Sequence, residues 1–314
     1  IKEHPEYYTK NAKGEIIDPI NPETGKSWGW SDVADLNYDN QGLRAAMTAD
    51  MLHWIKNEKI DGFRCDVAGN VPLDYWQQAI PQLRKEKNIF MLAEAWEPEL
   101  LKEGLFDMAY GWEAHHTMNR IAQGKNTVKD WDKFMSENDI KYSSDDILMN
   151  FVDNHDENSW NGTIRGRLGK GEEAMTALSY VMPGMPLIYS GNEYGLNHSL
   201  KFFEKDSIPK TKGKDWELRA KLGKLKTENT ALNGGKNKAK YTRIKTDDDT
   251  NILAFTREKE GKKVVYIANF SNNPIKTKVG IKGEYTNYMT GKKMSLNEKQ
   301  IHSMEPWQYY ILTE

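Results

Sequence analysis

A parallel α/β barrel followed by an antiparallel β domain is the architecture predicted for this chain of 314 residues. Three observations carry that expectation. Short apolar runs ending in polar residues recur at GFRCDVA (62–68), MLAEAW (91–96), MAYGWE (108–113), MNFVDNHDEN (149–158) and PLIYSGNE (186–193). Such runs suit strands of a (β/α)8 TIM barrel, whose C-terminal ends deliver polar groups to one face. Helical periodicity fills the intervals between them. Beyond residue 236 the pattern changes to alternating Val, Ile, Tyr and Thr with Gly-containing turns, the signature of an antiparallel β-sandwich.

Taken in order, residues 1–37 are rich in turn formers and exposed aromatics with no sustained period, and read as loop. Leu43, Met47, Met51, Leu52 and Ile55 recur at helical spacing and predict a helix over 41–58. A strand is expected at 60–67, a helix at 73–87, a strand at 89–95 and a helix at 98–104. A shorter strand at 105–112 leads into one helix over 113–138, with Trp131 and Phe134 inward. Strands at 147–153 and 186–190 flank a helix at 171–182, and the Lys-rich stretch 201–240 reads as a solvated helix and loop. Three regions follow: 1–40, a return loop; 41–235, the barrel; and 236–314, the all-β domain, with the boundary at Gly234-Gly235. Within the last, Glu260-Gly261 and Thr290-Gly291 are the expected turns.

Only five barrel strands can be counted, and eight are needed to close the sheet without raw edges. The chain also starts at Ile1, followed by Lys2 and Glu3. The expectation is therefore the downstream part of a longer protein, with the first barrel strands and any signal peptide upstream. Such a part is expected to be inactive or unstable by itself.

The first polar run is the most informative. Phe63, Cys65 and Val67 alternate with Arg64 and Asp66, which places the guanidinium and the carboxylate on one side of a strand. A nearby cation favours the charged carboxylate, so Asp66 is equipped as a nucleophile. Glu94 closes IFMLA, a run apolar enough for a buried strand. Desolvated there against Trp96, it would hold a proton for a leaving group. One charged and one protonated carboxyl is the equipment of glycoside hydrolysis. His155 and Asp156 follow ILMNFV and add an imidazole and a third carboxylate suited to sugar hydroxyls.

Each assignment has a competitor. Arg64 and Asp66 have a bland alternative as a buried structural ion pair at a strand end, Glu94 as a carboxylate facing a helix dipole, and His155 as a cap or packing residue. His115-His116 read as solvated or satisfied helix histidines, since no zinc spacing such as HExxH occurs. Trp28 and Trp30 are candidates for stacking on a sugar, or simply exposed loop contacts. Cys65, the one cysteine, excludes an internal disulfide and reads as a buried thiol.

In this order, GFRCD, EAW and NHD resemble the α-amylase family, glycoside hydrolase family 13. DVADLNYDNQGLR (32–44) resembles the family's passage from its inserted domain B into the barrel. PGMPLIYSGNEYG (183–195) resembles its last barrel strand, and the segment ending EPWQYYIL its C-terminal β domain. The resemblance implies Asp66 as nucleophile, Glu94 as general acid/base and Asp156 as the carboxylate holding the sugar. Arg64 would orient Asp66, and His155 would hydrogen-bond the same sugar. Two features depart from the family pattern. No Asn-His motif precedes residue 62, and Gly69 and Asn70 stand where a Lys-His pair is usual. The resemblance also implies a structural calcium ion, with Asp35 and Asn37 in the matching loop, and a secreted, periplasmic or cell-surface setting; from the residues alone the metal ligands and the compartment stay unknown.

Composition agrees. With 44 Lys+Arg against 46 Asp+Glu the formal charge is −2, which gives no electrostatic case for nucleic acid or an anionic membrane. Ten Trp and fifteen Tyr suit the apolar faces of sugar rings. The implied substrate is an α-glucan or maltooligosaccharide. Endohydrolysis of α-1,4 bonds is the first expectation, and an α-1,6-glucosidase or neopullulanase-like activity the alternative, to which Val67 and the DLN at 35–37 lean. A non-catalytic glucan-binding protein is the reading from a different class, against which both carboxylates stand.

Overall fold

The computed structural model describes residues 1–21, 24–30 and 32–314; Pro22, Glu23 and Ser31, within the expected loop, lie outside them. The chain divides into two compact units, residues 1–107 and 108–314.

The first unit opens with turns, as its Gly, Pro and Asn content dictates, but antiparallel bridges Tyr8↔Leu36, Lys10↔Ile16 and Ile20↔Ser27 fasten them into an ordered excursion. Helix α1 (Gln41–Lys56) starts where the Asn40 side chain accepts the Leu43 N–H. Strand β1 (Gly62–Cys65), helix α2 (Leu73–Glu86) and strand β2 (Phe90–Ala93) then form a βαβ unit, with β1 and β2 parallel in the register Gly62↔Phe90 to Cys65↔Ala93. Helix α2 buries Tyr75, Trp76, Ala79, Ile80 and Leu83, one continuous face at 3.6-residue spacing. Where a helix was expected over 98–104, Pro98 opens only a single 3-10 turn, Pro98–Leu101.

Gly62 is the residue that lets β1 meet β2. Its φ is +154°, and a Cβ there would lie 1.8 Å from the Phe90 carbonyl oxygen. Gly62→Ala must push the strands apart, and a loss of about 2–3 kcal/mol is expected, read as a lower unfolding midpoint in denaturant.

The second unit continues with β3 (Met108–Tyr110), α3 (Trp112–Ala122), α4 (Val128–Lys141), β4 (Leu148–Asn150), α5 (His155–Trp160), α6 (Ile164–Leu168), α7 (Glu172–Val181) and β5 (Met185–Pro186). Strands β3, β4 and β5 are parallel neighbours in chain order. The single helix expected over 113–138 is two. Gly124 at φ +70° ends the first, and a capping box between Thr127 and Asp130 starts the second. Trp131 and Phe134 do point into the core. His155 and Asp156 fall beyond the strand, in the first turn of α5, because the Asn154 side chain accepts the Glu157 N–H and caps that helix.

Helix α8 (Lys214–Glu228) corrects the reading of 201–240 as solvated surface. Arg219, Leu222 and Leu225 are buried, and Lys226 donates to the Gly184 and Leu232 carbonyls, each at 2.7 Å. Burial lowers the Lys226 ammonium to about 7.

Strands β6 (Lys240–Arg243), β7 (Ile252–Lys259), β8 (Lys262–Asn269), β9 (Ile275–Thr277), β10 (Gly283–Asn287), β11 (Lys293–Leu296), β12 (His302–Met304) and β13 (Tyr309–Thr313) complete the unit. A six-stranded antiparallel sheet has the order β11-β10-β13-β8-β7-β6, and β12 pairs with β9. Lys259 pairs with Lys262, so Glu260 and Gly261 make a two-residue turn with both φ positive, the form that matches strand twist. One face of this sheet shares a core with α3, α4, α7 and α8, including Phe255, Tyr266 and Ile311. The Tyr266 hydroxyl donates to the Ala174 carbonyl at 2.8 Å, and Arg257 to that of Val181 at 3.1 Å, fixing sheet to helix α7.

Candidate active site

The side chains singled out in the sequence form two groups, one in each unit. In the first, Arg64 leaves the end of β1 and forks between two carboxyls. Its Nη1 is ion-paired with Asp66, and its Nη2 lies 2.8 Å from Glu94 Oε2. Glu94 follows directly on β2, and its Oε2 also accepts the Val67 N–H at 2.9 Å. Val67 presents that N–H from a left-handed conformation, φ +42°, which is rare for a β-branched residue. The turn after β1 is therefore bent so that backbone and side chain converge on Glu94.

Burial is the dominant influence on Glu94 and raises its carboxyl to about 7. The Val67 N–H and Arg64 pull it down; the Asp66 charge and a hydrogen bond with Asp66 push it up. Asp66 itself is exposed. Trp96, expected as the desolvating wall, is 55% exposed. Glu97, not Glu94, precedes the 3-10 turn that follows β2, and its carboxylate accepts the Trp96 N–H.

Trp28 and Trp30 lie in the same unit. Their rings stack on each other, centroids 5.3 Å apart and 9° from parallel, and both are partly exposed. Asp18 fixes this loop by accepting from Ser27 Oγ at 2.6 Å, Gly29 N at 2.9 Å and Trp30 N at 3.1 Å.

Asp35 and Asn37 are spent on the backbone of this excursion. Asp35 exchanges main-chain hydrogen bonds with Thr9 and Ile17, and the Asn37 Oδ1 accepts the Asp39 N–H. Among the described residues no three His, Cys, Asp or Glu side chains converge as metal ligands.

In the second unit His155 Nε2 and Asp156 Oδ2 are 3.4 Å apart and both partly exposed. Beneath them lies a buried network that the sequence did not disclose. The Asp153 carboxylate, 0% exposed, receives Arg167 Nη2 at 2.7 Å and Asn192 Nδ2 at 3.1 Å. His115 places Nε2 3.1 Å from Glu157 and Nδ1 3.1 Å from the Phe151 carbonyl, so it is the satisfied histidine of the two readings. These contacts clamp both ends of the turn that carries His155 and Asp156. Asp153 was visible as a carboxylate behind an apolar run, but its partner comes from α6, a helix too short to leave a periodic trace.

Desolvation pushes the Asp153 carboxyl up, and Arg167 counters it. Arg167→Met would leave that carboxylate buried and unpaired. A loss of about 3–5 kcal/mol is expected, measured by denaturant unfolding.

Comparison with known proteins bears on the family. The profile described as "Alpha amylase, catalytic domain" matches residues 27–261, and "Alpha amylase, C-terminal all-beta domain" matches 244–309. The alpha-amylase MalA of Haloarcula japonica is 23% identical over 263 residues, covering 83% of this chain and 38% of its own length. An intracellular maltogenic amylase of Bacillus subtilis is 25% identical over 268 residues, covering 77% of this chain and 42% of its own length. The chain thus spans less than half of either relative. The crystal structure of a noncanonic maltogenic alpha-amylase, AmyB from Thermotoga neapolitana, superposes with a TM-score of 0.85 at 23% identity, over 100% of this chain and 73% of that one. That likeness is one of fold. With the catalytic-domain profile matched from the return loop through every parallel strand, and the all-β profile after it, the chain belongs to the α-amylase family, glycoside hydrolase family 13.

Proposed function

We propose that the protein containing this chain is a retaining glycoside hydrolase of α-glucans, with Asp66 as nucleophile and Glu94 as general acid/base. The observation that carries the reading is the pair of unlike carboxyls joined by Arg64: one exposed, the other buried and raised to about 7. A carboxyl held near neutrality can be protonated at working pH and lose its proton on demand.

In the first step Glu94 gives its proton to the glycosidic oxygen while an Asp66 oxygen bonds to the anomeric carbon, releasing the leaving glucan as an alcohol. The new Glu94 carboxylate keeps its Arg64 contact at 2.8 Å. Esterifying Asp66 removes the negative charge that raises Glu94, so the carboxyl becomes more acidic when it must act as base. It then takes a proton from water, whose oxygen replaces Asp66 at the anomeric carbon and restores both groups. The resemblance to the family assigns Asp156 and His155 to sugar hydroxyls, and Trp28 and Trp30 are assigned to stacking on a sugar ring. Calcium has no assigned part.

For the bond and chain length, the names of the relatives favour the alternative over plain endohydrolysis. Two of the three proteins compared are described as maltogenic. Val67 beside the nucleophile and the DLN at 35–37 lean the same way. The proposed substrates are accordingly short maltooligosaccharides, including those with α-1,6 branches. Product release from amylose and panose by the full-length protein tests this. Cleavage of panose with small products from amylose is the expected result; random internal cleavage of amylose with panose untouched would restore the endohydrolase reading.

A further inference from the structure

Helix α5 carries more than His155 and Asp156. Trp160 closes it, four residues after Asp156, a spacing that puts both side chains on one face. Trp160 is 61% exposed and does not stand alone. Its ring centroid lies 5.1 Å from that of Phe202 and 6.4 Å from that of Phe203, and the two phenylalanines are 4.8 Å apart. Phe202 and Phe203 are 48% and 74% exposed. Three clustered aromatic rings left in water mark a binding surface rather than a core.

The loop that carries the phenylalanines is braced to the same helix. Asn158, 1% exposed, donates to the His198 carbonyl at 3.3 Å and accepts the Leu200 N–H at 2.8 Å. Ser159 Oγ donates to the Leu200 carbonyl at 3.4 Å, and Asp206 accepts the Lys201 N–H at 3.1 Å. The loop bearing the phenylalanines is held to α5 by partly buried hydrogen bonds, so little order has to be gained when something docks. Charges beside them cancel: Lys201 pairs with Glu204 at 2.7 Å, and Lys205 and Asp206 follow. The surface therefore selects for a neutral ligand with apolar faces, not for an anion or a basic peptide.

We propose that Trp160, Phe202 and Phe203 form a stacking platform for an α-glucan chain. The proposal rests on the glucan reading above, and it makes the platform a determinant of chain length. Sugar C–H faces fit aromatic rings, and the spread of three rings accommodates successive residues of one chain.

The test is calorimetric binding of maltoheptaose and of maltose to the full-length protein carrying Glu94→Gln, with Trp160→Ala and Phe203→Ala added singly. Loss of one ring is expected to weaken maltoheptaose about tenfold while shifting the maltoheptaose-to-maltose affinity ratio by the same factor. Trp160→Phe, which keeps a stacking face, should recover most of the loss. Thermal midpoints of the variants give a separate readout of folding. An unchanged affinity ratio in both alanine variants would overturn the platform, as would equal weakening of both sugars. Absence of turnover by the wild-type protein alongside ring-dependent maltoheptaose binding would instead remove the hydrolase reading and leave the platform standing.

Discussion

Asp66→Asn in the full-length protein is expected to lower kcat on maltooligosaccharides by at least about 10³-fold, because an amide is a poor nucleophile and Glu94, the other carboxyl on Arg64, is occupied with the proton. The substitution preserves size and leaves Arg64 its contact with Glu94, so the fold should survive and KM should change little. A second readout separates loss of a nucleophile from loss of structure. The Asp66 charge is one of the influences that raise Glu94. Removing it should lower the Glu94 carboxyl from about 7, a change visible by ¹³C NMR of labelled glutamate even though turnover is gone.

Glu94→Gln is expected to cost about 10²–10⁴-fold on unactivated glucans, the usual worth of a positioned general acid. The loss should be much smaller in the first, glycosylation step for an aryl glycoside whose leaving group needs no proton, and pre-steady-state release of the phenol reads that step. The wild-type pH profile follows from the same group. Catalysis needs the protonated form, so kcat/KM should fall as pH rises through about 7, and this alkaline limb should be absent in Glu94→Gln. Stability carries the same sign. The folded protein holds the Glu94 proton up to about 7 and the unfolded chain only to the ordinary value of 4.5, so the contribution is full below the lower value and lost as pH rises between them. Glu94→Gln should flatten that slope in denaturant midpoints.

How far the sequence led can be judged from individual residues. The parallel strands were legible because each lies in an apolar run ending in polar residues, and the Glu260-Gly261 hairpin because only a positive-φ pair closes two strands that tightly. Arg64 and Asp66 were legible as a pair because alternation fixes which side chains share a strand side, and Glu94 as the carboxyl that closes the next apolar run. The break at Gly124 was not, since Trp131 and Phe134 continue the apolar period on the far side of it. The placement of His155 on a helix was hidden in a single cap, Asn154. Arg167 beneath Asp153 was hidden for another reason: contacts between distant segments leave no local pattern, and a buried arginine looks in sequence like any surface one. Lys226 misled the reading of α8 in the same way, since a lysine satisfied by two carbonyls carries no mark of its burial.

The central claim is that Asp66 takes the sugar covalently while Glu94 handles the proton. A fluorinated α-glucosyl fluoride, which forms the glycosyl-enzyme readily and hydrolyses it slowly, tests it directly on the full-length protein followed by peptide mass analysis. The account predicts one added fluoroglucosyl mass on the peptide containing Asp66, and none in Asp66→Asn. A label on another carboxylate, or steady turnover of glucan with inverted anomeric configuration and no label, would contradict it.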